Sequence, residues 1–226
     1  MPRGKVSTAE LTALLGDASR LVDPDRFLLG TFGLLSPGKG LEQAIDAVGL
    51  LVESHPAVSL IIAGQTHPEI RDRNGETYRE SLVQRCAERG VAAHVTFVDG
   101  YLSVDEIAAI LARTDAFCTP YREMDQVVSG VLTFAMAAGC AVISTPYRYA
   151  LDMLGDGAGT LVPVDDPPAM AAAIARFIDE PLRLLAAQRA ASQFRALLSW
   201  PSVGALLLGA IRQMYRPSFA SIGAPA

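Results

Sequence analysis

From residue 27 onward the chain alternates short apolar runs with longer segments of helical periodicity, and this alternation constrains the fold more than any other feature. The runs Phe27–Leu35, Val58–Ala63, His94–Val98, Ala116–Thr119, Ala141–Ser144 and Gly159–Val164 are apolar on both faces. Strands buried between two helical layers have this character. Between them lie helical stretches at Leu41–Ser54, Glu76–Arg89, Val104–Arg113 and roughly Ser129–Ala138, with a shorter one at Arg148–Leu154. Leu41, Ile45, Val48 and Val52 fall on one helix face. Ser103 followed by Glu106 is a capping-box pattern. The pattern predicts an α/β fold: one doubly wound, Rossmann-like parallel sheet of about six strands, helices on both faces and a helical C-terminal tail.

After Val164 the character changes to Ala/Leu-rich helices at Pro168–Asp179, Pro181–Leu198 and Ser202–Tyr215, each with a proline near its start. The expected organisation is an N-terminal helix and linker over 1–25, with Thr8–Leu15 helical and Ser7 as its N-cap. A Rossmann-like domain follows over 26–198, then a C-terminal helix over 199–216 and a frayed tail over 217–226. Half of the 226 residues are hydrophobic, too many for a disordered chain. No apolar stretch reaches 18 residues, so no transmembrane segment is expected. A net charge of −5 gives no footprint for nucleic acid or anionic lipid. Cys86, Cys118 and Cys140 form no metal or disulfide pattern, and the start of the sequence lacks a signal-like apolar core; a reducing, cytoplasmic setting is expected.

The first strand runs into Gly33-Leu-Leu-Ser-Pro-Gly38-Lys39-Gly40 and then a helix. Glycines at a strand–helix turn let backbone N–H groups approach an anion, and the helix terminus adds a favourable dipole. The loop is nearly a Walker A sequence, but Gly40 stands where the Mg²⁺-binding hydroxyl is needed, so a nucleotide triphosphatase is disfavoured. It also reads as a tight turn with a solvated lysine. A second candidate site is the segment from Asp125 to Gly139, where Ser129 and Gly130 open a helix at the carboxyl end of a strand. Two such loops on one sheet edge suit a diphosphate or a sugar with several hydroxyls; Ser129 alone is equally an ordinary N-cap. His67 lies in a polar loop at the same edge, as a donor contact or as a solvent-exposed side chain. Tyr101, after the third strand, can stack on a nucleobase or cover the sheet end. Arg148, after the fifth strand, is a candidate donor-binding cation. Arginines 71, 73, 79, 85 and 89 are interleaved with acids and read as a solvated helix face.

Taken together, these residues resemble the C-terminal, donor-binding half of GT-B glycosyltransferases, specifically glycosyltransferase family 4, the group 1 transferases. The frame is Gly33-Leu34-Leu35 with Lys39-Gly40, LIIAG at 60–64, HVTFVDGYLSVDEIAAIL at 94–111, DAFCTPY at 115–121, AMAAG-x-AVIST at 135–145 and GTLVPVDDP at 159–167. The resemblance implies retaining transfer from a nucleotide-diphosphate sugar, with Lys39 on the donor diphosphate and Gly33, Gly38, Gly40, Ser129 and Gly130 supplying backbone contacts. The catalytic positions it points to are Lys39 and Gln126. Leu34 stands where the family pattern has an arginine. Gln126 and Phe134 stand at the two glutamates of the E-x7-E pair; the amide of Gln126 can still bond sugar hydroxyls, whereas Phe134 cannot grip a ribose. No cofactor and no metal is implied. A complete enzyme of this kind has two Rossmann-like domains, so the resemblance also implies a separate N-terminal acceptor-binding domain, or a homodimer built through the C-terminal helix. The alternative is a non-catalytic sugar-nucleotide-binding module or a self-associating structural remnant.

Overall fold

The computed structural model describes residues 25–155, 157–197 and 199–214. The helix and linker expected before residue 25 and the tail expected after 216 lie outside the described residues. Six strands form one sheet: β1 (Phe27–Phe32), β2 (Val58–Ala63), β3 (Val95–Val98), β4 (Ala116–Thr119), β5 (Ala141–Ser144) and β6 (Gly159–Leu161). They are all parallel, in the order β3-β2-β1-β4-β5-β6. The helices are α1 (Leu41–Leu51), α2 (Pro68–Asn74), α3 (Thr77–Glu88), α4 (Val104–Arg113), α5 (Gly130–Ala137), α6 (Arg148–Leu154), α7 (Pro167–Asp179), α8 (Pro181–Leu197) and α9 (Trp200–Met214).

Period-two alternation assigns the strand side chains to two cores. Leu29, Leu60, Ile62, Cys118 and Ile143 pack with α1, α3 and α7 on one face. Leu28 and Ile61 meet Ile110 of α4, Phe117 meets Ala135 of α5, and Val142 meets Leu132 and Ala150 on the other. Strands β2, β4 and β5 are buried along their whole length, which is why they read as continuous apolar runs. The expected capping box is present: the Glu106 carboxylate accepts from the Ser103 N–H at 2.7 Å, and the Ser103 hydroxyl accepts from the Glu106 N–H at 3.3 Å. All three cysteines are buried.

The structure corrects the expected elements, most clearly as follows. The first strand ends at Phe32 instead of Leu35, although Leu35 still pairs singly with Thr66. The last strand stops at Leu161, two residues before Pro163, which has no N–H to extend a ladder. The polar loop expected after β2 contains helix α2, which buries none of its residues and so carries no apolar periodicity.

The reading of the arginine-rich run as a solvated face is corrected in part: Arg71 and Arg73 are exposed, whereas Arg79, Arg85 and Arg89 form ion pairs. On α3, Arg79 donates to the Gly64 carbonyl at 2.5 Å and to Asp99 at 2.7 Å. Arg85 and Arg89 grip Asp46 of α1, Arg85 through bonds of 2.7 and 2.6 Å and Arg89 through bonds of 2.8 and 3.2 Å. Burial opposes ionisation of Asp46, but the hydrogen bonds from both guanidinium groups outweigh it and hold the carboxyl below its usual range. A lowered carboxyl pKa contributes stability above the ordinary carboxylate range and loses it as pH falls through the folded value. Asp46→Asn is expected to cost about 2 kcal/mol at neutral pH, because it leaves two cations side by side without the negative charge they share and puts an amide N–H₂ where one acceptor oxygen stood. Urea denaturation at pH 7 checks this; a cost below about 0.5 kcal/mol would show that the pair is worth no more than an exposed bridge.

At the C-terminal end, α8 leads into α9 with a bend of 57°. No single described helix is long and apolar enough to cross a membrane, although α8 and α9 together pass that test as a bent pair. No described residue of α9 is buried; Leu206, Leu207, Leu208 and Met214 all lie open, and Trp200 is 87% exposed.

Candidate functional site

The sheet order places β1 and β4 side by side while the chain leaves them in opposite directions, so the loops after these two strands flank a crevice at their carboxyl ends. Ligands of open α/β sheets bind at such a switch point. The loop after β1 closes as a single 3-10 turn, Pro37–Lys39, capped by Gly40. Gly40 has φ 58°, and a side chain there would meet the Pro120 carbonyl at 2.0 Å. Only glycine lets the two loops approach this closely. Arg122, two residues after Pro120, ties them further: its N–H donates to the Gly38 carbonyl at 2.9 Å and its guanidinium to the Pro37 carbonyl at 3.0 Å. The same guanidinium reaches Asp165 at 2.9 Å and Glu42 at 3.3 Å, so the β6–α7 loop joins the assembly.

Lys39 lies at the centre of this construction. Its ammonium sits 3.9 Å from the centroid of the Tyr121 ring, a cation–π contact. Tyr121 is 2% exposed and stacks on Tyr147, centroids 5.1 Å apart. Burial lowers the Lys39 pKa, and the nearby Glu123 carboxylate opposes that shift. Glu123 lies over Gly38, its Oε1 2.9 Å from where a side-chain carbon on that glycine would stand. Beneath the lysine, hydroxyls bond one another: Thr119 to Ser144 at 2.8 Å, Tyr147 to Thr119 at 3.3 Å, and Thr145 to the Tyr121 carbonyl at 2.6 Å. These bonds satisfy the polar groups buried below the site and fix the Tyr121 ring that faces Lys39.

Across the crevice, Ser129 caps α5 by accepting from the Leu132 N–H at 3.2 Å. Gly130 opens the helix with nothing near its Cα side, and the Val131 side chain would lie 3.4 Å from a carbon added at Gly33. The first turn of α5 therefore faces the phosphate-type loop, with Lys39 held between the loops after β1 and β4. A cation on one loop and a helix N-terminus beside that loop are the elements of an anion site.

Of the remaining residues singled out from the sequence, Gln126 closes its own loop, its amide donating to the Val128 carbonyl at 2.9 Å. His67 caps α2, its Nδ1 accepting from the Glu69 N–H at 3.3 Å, and is joined to the first loop through its backbone N–H to the Leu35 carbonyl at 2.9 Å. Arg148 is exposed at the start of α6, its N–H bonded to the Met124 carbonyl at 2.9 Å. Tyr101 is 84% exposed at the mouth of an open cleft of about 170 Å³ that it shares with Gly33, Leu34 and Gln65. Sequence reasoning missed Tyr121, Arg122 and Glu123. Their signal was an aromatic residue and two charges directly behind a fully buried strand.

Comparison with known proteins bears on what this crevice holds. The family model described as "Glycosyl transferases group 1" matches residues 17–194. The chain is 31% identical over 146 residues to a phosphatidyl-myo-inositol mannosyltransferase of Mycolicibacterium smegmatis, covering 64% of this chain and 34% of that protein. It is 28% identical over 170 residues to the lipopolysaccharide core biosynthesis mannosyltransferase LpsB of Rhizobium meliloti, covering 74% and 45%. The chain thus spans between a third and a half of these relatives. Among solved structures, Anabaena HepE in complex with UDP-glucose superposes with a TM-score of 0.76 at 19% identity, over 93% of this chain and 54% of that one. The C-terminal domain of the group 1 protein LpcC from Francisella tularensis superposes with a TM-score of 0.64 at 19% identity, over 74% and 83%. At these identities the superpositions establish the shared fold.

Proposed function

The chain belongs to the group 1 glycosyl transferases, and from that premise we propose that it is the donor-binding half of a retaining family 4 enzyme of GT-B fold, holding a nucleotide-diphosphate sugar at the β1–β4 switch point. The observation that carries this is the Lys39 ammonium, fixed on Tyr121 between the two loops and opposite the open first turn of α5. Transfer breaks the bond between the sugar's anomeric carbon and the diphosphate oxygen and forms one to the oxygen of an acceptor hydroxyl, whose proton leaves with the diphosphate. Negative charge grows on the departing diphosphate, and Lys39 with the amides at Gly130 and Val131 offsets it. Gly33, Gly38 and Gly40 keep the backbone close to the phosphates. Gln126 and Ser129 line the sugar end, Arg148 serves as a second cation, and His67 and Tyr101 border the nucleoside side.

The acceptor-binding domain is a further Rossmann-like unit, and we assign the bare α9 as the element that docks to it. A second copy of the chain is the competing occupant, and the wholly exposed apolar surface of α9 supports either. The three buried cysteines fit a cytoplasmic setting.

Calorimetry with UDP, GDP and their sugars tests the donor reading. Lys39→Ala is expected to weaken nucleoside diphosphate binding by about 2 kcal/mol, roughly thirtyfold. Wild-type affinity should hold at neutral pH and fall as pH rises through the lowered Lys39 pKa, before an ordinary lysine titrates. Wild-type binding that is unaffected by Lys39→Ala, or no binding of any nucleoside diphosphate, would sink the proposal.

A further inference from the structure

A groove of about 1050 Å³ runs between α4, α5 and α8, and it shares no lining residue with the narrow pocket around Lys39. Val104 and Ala108 of α4, Phe134 of α5 and Leu185 of α8 line it, and all four are exposed. Arg189 and Arg195 of α8 belong to the same lining, and among the described residues no acid does. Arg195 also donates to the Ala137 carbonyl at 2.7 Å, which ties α8 to the end of α5. Apolar side chains left open on three neighbouring helices, with cations of one sign beside them, mark a face that another segment covers.

The polypeptide enters the sheet at one end of this groove. The Arg26 carbonyl accepts from Arg113, the last residue of α4, at 2.8 Å. Two residues on, the Asp115 carbonyl accepts from Gln188 of α8 at 2.9 Å. Gln188 and Ala112, the neighbour of Arg113, both line the groove. Residues 1–24 therefore join the domain where α4 and α8 come together. In their sequence Leu11, Leu14 and Leu15 follow the i, i+3, i+4 spacing of one helix face, and Glu10 lies one turn before Leu14. The stretch 16–24 can span up to about 30 Å, whereas α4 is only about 15 Å long. The leucines can thus reach any point along the groove.

We propose that the groove between α4, α5 and α8 is the seat of the chain's own N-terminal segment, residues 1–24. Leu11, Leu14 and Leu15 cover Val104, Phe134 and Leu185, and Glu10 meets the arginines of α8. Burial of the two apolar faces drives the contact, and the single acid among the leucines fixes the direction in which the segment lies. The seat and the pocket around Lys39 have no lining residue in common, so segment and diphosphate do not compete for one surface.

Thiol modification of the full chain tests this, because the three native cysteines are buried and stay unmodified while the protein is folded. Ala108→Cys places a thiol in the groove, and Ala186→Cys places one on an exposed position of α8 outside it. With a maleimide, Ala108→Cys is expected to react at least about tenfold more slowly than Ala186→Cys. Adding Leu11→Asp and Leu14→Asp should bring the two rates within about threefold of each other. Equal rates without those changes mean an open groove and overturn the proposal. Slow modification that survives the two aspartates overturns it as well, and its relief on dilution would then assign the groove to a second copy of the chain. Hydrogen exchange of the unsubstituted protein gives a check that no variant can upset. The amides from Leu11 to Leu15 should exchange at least about tenfold more slowly than in a free chain, and exchange at the free-chain rate overturns the proposal.

Discussion

Replacing Gly64 with alanine is expected to cost at least about 3 kcal/mol of stability, a large fraction of what holds a marginal domain folded. Gly64 follows β2 with φ 134°, and an added side-chain carbon would stand 2.0 Å from the Gly33 carbonyl oxygen and 2.9 Å from its carbon. Neither atom belongs to a side chain that can swing away. The Gly33 N–H is bonded to Ala63 at 2.9 Å and the Gly64 N–H to Val98 at 2.8 Å, so moving either backbone breaks the ladder across three strands. Urea denaturation of the two proteins provides the measurement. Gly130→Ala is the control: that position opens onto free space and should stay within about 0.5 kcal/mol of wild type. A Gly64→Ala cost below about 1 kcal/mol would show that the sheet yields there, against this account.

The second large effect is expected at Tyr121. Its ring is almost wholly buried, stacks on Tyr147 and receives the Lys39 ammonium. Tyr121→Ala removes both contacts together with the buried ring and should cost about 3–5 kcal/mol in stability. Tyr121→Phe keeps the ring and should retain stability within about 1.5 kcal/mol and nucleoside diphosphate affinity within about threefold, since the ring face, not the hydroxyl, holds the lysine. Calorimetry and denaturation on both variants settle the matter. Loss of donor affinity in Tyr121→Phe equal to that in Lys39→Ala would show that the hydroxyl, and not the ring, organises the site.

What was legible in the sequence follows from which interactions are local. Strands β2, β4 and β5 were placed to the residue, because burial on both faces leaves an uninterrupted apolar signature and their turns carry glycine or proline. The capping box of α4 was legible for the same reason, since both partners lie within one turn. Helix α2 was missed because a helix that buries nothing needs no apolar stripe. The role of Arg85 and Arg89 was missed because their acceptor, Asp46, lies on α1 about forty positions earlier, and charge interleaving along the arginine-rich run looks the same whether solvated or paired. At the site, Lys39 and Gly40 stood out through their glycine-rich loop. Tyr121, Arg122 and Glu123 acquire meaning only when β4 is laid beside β1, a pairing between positions more than eighty apart.

That pairing has a thermodynamic consequence. Arg122 joins the carbonyl of Pro37 to the carboxylate of Asp165, and Gln43 donates to the carbonyls of Pro163 and Asp166 at 3.1 and 3.2 Å. The crevice is therefore assembled from both flanks of the sheet and has no counterpart in a half-folded chain. A donor that binds there binds only the native state, so mass action adds its binding free energy to the whole unfolding equilibrium and not to one loop. Thermal midpoints should climb with the logarithm of donor concentration, which makes the melting curve itself a ligand assay for the crevice.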